Sequence, residues 1–547
     1  MKPNLFTSVL LAYILFYSGK QASAQFIADS SKTYFVCNAA GVQSNVSAFG
    51  DANGGTYSFW IDKRNGTAGS AIYGQHLDSL GVPIWSSNGK MFYQEKAKEV
   101  WLMKAVAWQN GILVSWVQGG FGIGGDTLFC NYYNADGVSQ WTEPAVIANK
   151  QGNIIYVGID NMEVYPNDFG ATFTFGLTYS GGNNYLSFNH IDFSGKLQWP
   201  LDNFAYQGNG YYYQTGYDNH NGFYVATSTG GLGAHIYMGH FDLKGNLTIP
   251  VPVDVCGTAG GRGNSQWKVI CDAAGNAYIV WASYTKGDIS MTKIKPDGTL
   301  AWSDAKQICS ATGAQEYPDA IINKDTIYAI WDDSRPGSLG NFDIYMQKLD
   351  TAGNSLWTTN GILLSHLNSY IPYPKLVVAG NNIVAAYEVN NGFRGQQIQP
   401  DSSISWKQNG VSVNVKNMPF YGDYQLTASI NGGVTAIWSE GENNICAARV
   451  RPGETFTSIA ERKEKSLQIF PNPARDNIFI SGNCLNGSTI SFKIFNASGN
   501  QIFFSDEKNL SGNFSKTISV NNFQSGVYTI RIQAPDFMET KKVIVVK

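Results

Sequence analysis

Charge is what this 547-residue sequence has least of: Asp, Glu, Lys and Arg together make up 14% of it, against roughly a quarter in an average soluble protein. That scarcity excludes a disordered chain, a coiled coil and long solvent-laced helices. The formal net charge of −3 is too close to zero for a nucleic-acid footprint or a cation-binding polyelectrolyte. Seven cysteines, scattered and with no CxxC pair, cannot form a disulfide framework for a chain of this length. Histidine occurs six times, and no HExxH or GxSxG occurs, so neither a metal nor a cofactor is expected. Beyond the N-terminus no apolar run approaches the ~20 residues of a membrane-spanning helix. What is abundant is aromatic residues, also 14%, and 59 glycines. Short aromatic and β-branched stretches punctuated by Gly, Asn and Asp describe an all-β protein.

The first residues are a targeting segment. Lys2 precedes an apolar run from Leu5 to Tyr17, and Ala22-Ser23-Ala24 stands just before Gln25. That is the layout of a secretory signal peptide over residues 1–24, with a run shorter than a spanning helix needs. The expected mature chain begins near Gln25.

Internal repetition is the strongest signal. TYSFWIDKRNGTAGSAIYGQHLDSLGVPIWSSNG, from Thr56, and TIYAIWDDSRPGSLGNFDIYMQKLDTAGNSLWTTNG, from Thr326, are one unit written twice. The unit carries Trp-x-Asp-x-Arg (Trp60, Asp62, Arg64; Trp331, Asp333, Arg335), then Asp, Gly and a second Trp (Asp78, Gly81, Trp85; Asp350, Gly353, Trp357). Moved along the chain, the template places its first landmark at Trp60, Trp116, Phe175, Thr227, Trp281, Trp331, Tyr387 and Trp438. Four short strands per unit, with turn residues between them, predict a β-propeller blade. The expectation is eight blades over residues 25–452, or seven if the poorly aligned third copy merges with a neighbour. The last copy lacks a fourth strand, and the segment near Lys32 resembles one. The N-terminus is therefore expected to complete the last blade and remove an exposed sheet edge. Cys256 and Cys271 fall on neighbouring strands of adjacent copies and are the one candidate disulfide.

Residues 453–465 are polar and read as a linker. Residues 466–547 contain alternating strands separated by turns, as in a small Ig-like β-sandwich. Within them Phe470-Pro471-Asn472-Pro473-Ala474, a hairpin strand from Phe492 to Gly499, Gly526-Val527-Tyr528 and a Lys-rich final strand occur in order. This order resembles the type A C-terminal sorting domain of the type IX secretion system, with Pro471, Asn472, Pro473, Gly499, Gly526 and Tyr528 as its motif residues. The resemblance implies export in two steps, with the type IX machinery as partner and a secreted or outer-membrane surface-attached product. In that family the sorting domain is commonly cleaved. The repeats are also similar to WxDxR-bearing propellers that accompany such domains, a group with no firm shared activity.

Candidate chemistry is sparse. His76, His190 and His240 recur at one repeat position and read as structural, because metal ligands must converge on one point. The single GxGxxG, Gly120 to Gly125, lies between strands instead of opening a helix. The Asp-Arg pairs are either braces or ligand clamps, and recurrence on separated blades favours braces. Fourteen residues before the landmark, five consecutive copies carry an aromatic: Tyr213, Trp267, Tyr317, Tyr373 and Tyr424. At the start of the innermost strand these rings would form an arc able to stack on a sugar or another planar ligand; the plainer alternative is packing between blades. The expected function is a binding or adhesion module engaging a glycan or protein, with an extracellular polysaccharide hydrolase or lyase as the alternative. Asp78, Gly81 and Trp85 also resemble, with altered spacing, the tryptophan-docking repeat of quinoproteins.

Overall fold

A computed structural model of the chain describes residues 34–450 and 468–547, apart from 67–68, 80, 95–97, 120–125, 150–155, 180–183, 200–204, 207–212, 229–231, 250, 258–260, 263–265, 284–286, 336–341, 370–371, 390–391, 407–408, 415–423, 430–432, 497–499 and 535–536. The expected signal peptide, the linker and the Gly120–Gly125 motif lie outside the described residues. The chain divides into two compact units, one running Gln25–Phe456 and the other containing Thr457–Lys547.

Among the described residues the larger unit holds eight four-stranded antiparallel sheets, formed in chain order. Sheet 1 is made of Gln43–Gly50, Thr56–Asp62, Ala71–Leu77 and Lys90–Gln94, and its strands lie side by side in that order. The first strands of sheets 2 to 7 are Glu99–Trp108, Tyr156–Asn167, Tyr213–Tyr217, Trp267–Cys271, Gln315–Asn323 and Lys375–Ala379. Sheet 8 takes three strands, from Tyr424–Ala428 to Asn444–Val450, and its fourth is Tyr34–Cys37 from the other end of the chain. A two-stranded ribbon, Leu232–Ala234 with Gly261–Arg262, is additional.

The second strand of each unit reads as a nearly continuous apolar run because it is covered on both faces. All of Thr56–Asp62 is buried. Eight apolar clusters fill the eight gaps between consecutive sheets. Tyr57 and Phe59 meet Met103 and Trp116 between sheets 1 and 2, and Tyr278 and Val280 meet Trp331 between sheets 5 and 6. The last gap is closed by Val36, Cys37 and Ile437 of sheet 8 against Trp60 and Leu77 of sheet 1. A sheet buried on both sides has no free face, which is what so few charged residues require.

The first-landmark tryptophans, Trp60, Trp116, Trp281, Trp331 and Trp438, are all fully buried. The second tryptophan has a different task. Gly353 (φ +81°) approaches Trp302 of the preceding sheet so closely that a Cβ would sit 2.8 Å from the ring, and Gly195 approaches Trp141 in the same way at 2.9 Å. The turn needs a left-handed residue and the neighbouring indole needs the missing side chain, so the Gly and the Trp of adjacent copies specify one contact.

The six described cysteines, 37, 130, 256, 271, 309 and 446, are buried free thiols. Cys256 and Cys271 share an apolar cluster without forming the candidate disulfide. Burial pushes the Cys256 thiol up to about 12, as expected for a small core residue rather than a reactive one.

Among the described residues the smaller unit has five strands, Gln468–Phe470, Asn477–Phe495, Gln501–Ser519, Gly526–Ala534 and Phe537–Val545. The second pairs with the first, third and fourth, and the fourth with the fifth. Ile480, Ile490, Phe492, Ile530, Ile532 and Val543 make its core.

Candidate functional site

The first strands of all eight sheets line one cavity of about 970 Å³. Strand register shows how each contributes. The residue immediately before every first landmark pairs with a polar residue of the first strand: Ser47, Lys104, Glu163, Gln214, Lys268, Asp319, Lys375 and Gln425. One position, eight sheets and eight polar side chains make a ring, six members of which line the cavity directly.

The ring links neighbouring sheets. The Lys104 Nζ lies 2.9 Å from Glu163 Oε2, and the Lys268 Nζ lies 3.1 Å from Asp319 Oδ1. The Ser47 hydroxyl donates to the Ala105 carbonyl (3.1 Å) and accepts from the Ala105 amide (3.0 Å). The Leu376 amide donates to Asp319 Oδ2 (2.8 Å), and Lys375 Nζ donates to the Tyr424 carbonyl (2.8 Å). The Asp319 carboxylate holds the Lys268 ammonium above the usual lysine range. The six that line the cavity supply two ammonium groups, one carboxylate, two amides and a hydroxyl, so the lining offers both donors and acceptors.

The five aromatics do not form an arc. Trp267 is 1% and Tyr424 0% exposed, and each pairs directly with its landmark, Trp267 with Trp281 and Tyr424 with Trp438. Both are plugs between sheets. Tyr213 also sits opposite its landmark, is half-buried and alone of the five lines the cavity. Tyr317 lies in a register irregularity between Glu316 and Asp319, and Tyr373 precedes its strand. Both have left-handed φ, 48° and 43°, and their rings meet edge to face at 4.7 Å. The physical reason is parity. The ring residue stands 13 positions before the landmark in four copies and 12 in the other four, so a constant spacing of 14 falls one residue from the ring at Tyr213, Trp267 and Tyr424 and two residues from it at Tyr317 and Tyr373, where the strand is irregular or has not begun.

The Trp-x-Asp-x-Arg motifs are braces. In both, the carboxylate accepts from the indole N–H, at 2.8 Å in Trp60–Asp62 and 2.9 Å in Trp331–Asp333. It also takes the arginine Nη2 at 2.6 Å. Each guanidinium lies over a tyrosine, Arg64 on Tyr73 at 3.8 Å and Arg335 on Tyr345 at 3.6 Å.

The recurring histidines are held locally. His76 Nε2 is 2.7 Å from Asp51 and His240 Nε2 is 2.9 Å from Asp218. His190, 3% exposed, contacts the Thr172 hydroxyl at 3.1 Å, and burial lowers it from 6.5 to about 4. The unfolded chain therefore binds a proton that the native state refuses between those values. The contribution is complete above pH 6.5 and is lost as pH falls towards 4. Unfolding at pH 7 and pH 4.5 should show a loss of about 2–3 kcal/mol that His190→Gln removes; equal pH slopes in both proteins would refute it. Among the described residues no cluster of His, Cys, Asp and Glu has metal-binding geometry.

In the smaller unit Asn472 clamps the final strand. Its Oδ1 accepts from the Ile544 amide (2.8 Å) and its Nδ2 donates to the Lys542 carbonyl (3.1 Å). Pro471 and Pro473 flank it. Gly526 opens the fourth strand, and the Tyr528 hydroxyl donates to the Gln524 carbonyl at 2.9 Å. Gly499 lies outside the described residues.

Residues 468–546 match the secretion system C-terminal sorting domain family. This segment is a type IX sorting domain, and the protein is secreted or attached to the cell surface. Among the described residues no helix is long and apolar enough to cross a membrane. No curated protein matches the sequence significantly. Among solved structures, a puromycin hydrolase is 10% identical over 75% of this chain and 61% of its own (TM-score 0.41). An α-L-arabinofuranosidase from Fusarium graminearum is 8% identical over 59% and 99% (TM-score 0.30). The Bacteroides ovatus xyloglucan-locus GH43B protein is 10% identical over 94% and 92% (TM-score 0.28). The chain spans 61% of the puromycin hydrolase and 54% of a prolyl endopeptidase.

Proposed function

We propose that the protein is a secreted or surface-displayed binding module: residues 1–24 a signal peptide, 25–452 an eight-bladed β-propeller, 453–465 a linker and 466–547 an Ig-like sorting sandwich that engages the type IX machinery. The ligand is a glycan or a protein held at the propeller. The cavity with its polar ring carries this reading. Eight sheets converge on one lining rich in amides, ammonium groups and carboxylates, which suits recognition of a polar ligand through many weak hydrogen bonds. The alternative, a polysaccharide hydrolase or lyase, needs two carboxyl groups free to exchange protons across a bond. In the ring both carboxylates, Glu163 and Asp319, are instead tied to lysines of neighbouring sheets, so binding is the better-supported reading.

The test is a glycan and protein array probed with the purified full chain and with a Tyr213→Ala, Gln214→Ala, Gln425→Ala variant. Specific capture, weakened at least tenfold in the variant, is expected. Capture that the variant leaves intact would remove the cavity from the account, and turnover of a captured glycan would favour the hydrolase.

A further inference from the structure

Asp332 is a buried carboxyl that the fold does not explain. It is 0% exposed, and neither oxygen makes a hydrogen bond of normal geometry, although the Tyr373 amide faces it. Its sequence neighbours turn towards sheet 5, where Asp333 is taken up by Trp331 and Arg335. Asp332 shares the opposite face with Ile330, which packs against sheet 7. There Glu316, its strand partner, and Glu388 bring further negative charge within electrostatic range. Tyr317 and Tyr373 stand at the same place, half-buried, with their rings at 4.7 Å. The packing of sheets 6 and 7 would be served equally by an apolar residue at 332; the corresponding positions of sheets 1 and 2 are Ile61 and Val117.

We propose that Tyr317, Tyr373 and the carboxyls of Glu316, Asp332 and Glu388 form a recognition site for an organic cation, namely the guanidinium of an arginine presented by a protein partner. This rests on the binding reading above and assigns a chemical class to one of its ligands. A guanidinium is planar, stacks on tyrosine faces and delivers paired N–H donors to a carboxylate. A primary ammonium lacks the flat face, so an amino sugar is the weaker fit.

Proton linkage gives a signature that mere packing would lack. Burial pushes the Asp332 carboxyl well above the usual carboxylate range, and Glu316, Glu388 and Asp333 push the same way while the Tyr373 amide opposes them. The other titratable groups in electrostatic range of Asp332 are the Tyr373 and Tyr424 phenols. An entering cation favours the ionised form, so binding releases a proton and tightens as pH rises, by up to about tenfold per pH unit.

The test is calorimetry on the full chain with N-acetyl-arginine amide as probe, in buffers of different ionisation heat, with glucosamine and a neutral amide as comparators. Binding of the arginine probe with release of close to one proton is expected, together with at least a tenfold loss in Asp332→Asn and in Tyr317→Ala, Tyr373→Ala. If Asp332→Asn fails to fold, the tyrosine variant and the wild-type proton count carry the test. No arginine binding, binding unchanged in either folded variant, or binding without proton release would overturn the site. Preference for glucosamine would overturn the guanidinium assignment in favour of an amino sugar. Array capture that persists while the arginine probe fails would sink this site and leave the cavity reading standing.

Discussion

Replacing Asp333 by alanine is expected to lower the stability of the larger unit by about 3–5 kcal/mol, the range for breaking a buried ion pair by removing one partner. Asp333 is fully buried and its two oxygens accept four N–H hydrogen bonds, from the Arg335 amide and Nε (both 2.9 Å), from Arg335 Nη2 (2.6 Å) and from the Trp331 indole (2.9 Å), together with a longer contact from the Cys309 thiol at 3.9 Å. Alanine leaves a largely buried guanidinium with the Asn360 carbonyl, the Cys309 sulfur and the Tyr345 face as its remaining neighbours, and it leaves an indole N–H inside the sheet stack with no acceptor. Asp62 repeats the arrangement in sheet 1 with nearly identical distances. The two losses should add, because the sites share no contact. Thermal and urea unfolding of both single variants and the double variant measure this. An Asp333→Leu, Arg335→Met pair, which removes both charges, should recover most of the loss. A normal melting temperature in Asp333→Ala with altered ligand capture would make the motif a clamp instead of a brace.

Why that motif was legible, and the ring of polar residues was not, comes down to what repeats. Trp60 and Trp331 recur as the same residue in the same burial, so identity alone aligns the copies and the strand pattern follows. The missing fourth strand of the last copy was equally visible, because an alternating segment near Lys32 had no copy of its own. Pro471-Asn472-Pro473 was readable because Asn472 must offer both an acceptor and a donor to the final strand, and few residues can. The ring position carries Ser, Lys, Glu, Gln and Asp in different copies, selected only for being polar, and a one-residue difference in spacing hides even that. The same difference produced the aromatic arc. A constant spacing of 14 joins Trp267 and Tyr424, which point between sheets, to Tyr317, which lies in a strand irregularity, and Tyr373, which precedes its strand, both with left-handed φ. A strand irregularity has no residue signature in a single sequence, yet it decides which side of the strand faces the neighbour.

Deleting residues 25–40 should have the largest effect on the fold, a loss of about 5 kcal/mol or more, with association of the product. The deleted strand, Tyr34–Cys37, pairs with Asn444–Val450. It places Val36 (3% exposed) and Cys37 (0%) in the cluster with Trp60, Leu77, Ile437 and Ile445. Burying two or three such side chains accounts for most of the figure at about 1.5–3 kcal/mol each. The rest comes from opening the contact between sheets 8 and 1. That contact joins residues nearly 400 apart in sequence, through Thr56 with Thr427 (3.0 Å), Ser439 donating to the Gln43 carbonyl (2.7 Å) and Arg449 donating to the Gly54 carbonyl (2.7 Å). Seven other gaps hold consecutive sheets whose linkers keep them close, whereas here the shared sheet takes the place of a linker and, with these contacts, opposes the entropy of opening the ring. The strand Asn444–Val450 would also become a bare edge, a template for pairing with another chain. Differential scanning calorimetry and light scattering of the truncated protein measure both consequences, and a peptide spanning residues 30–42 added in trans should restore part of the melting temperature. A truncated protein that stays monomeric with an unchanged melting temperature would mean that the contact between sheets 8 and 1 holds without the shared strand.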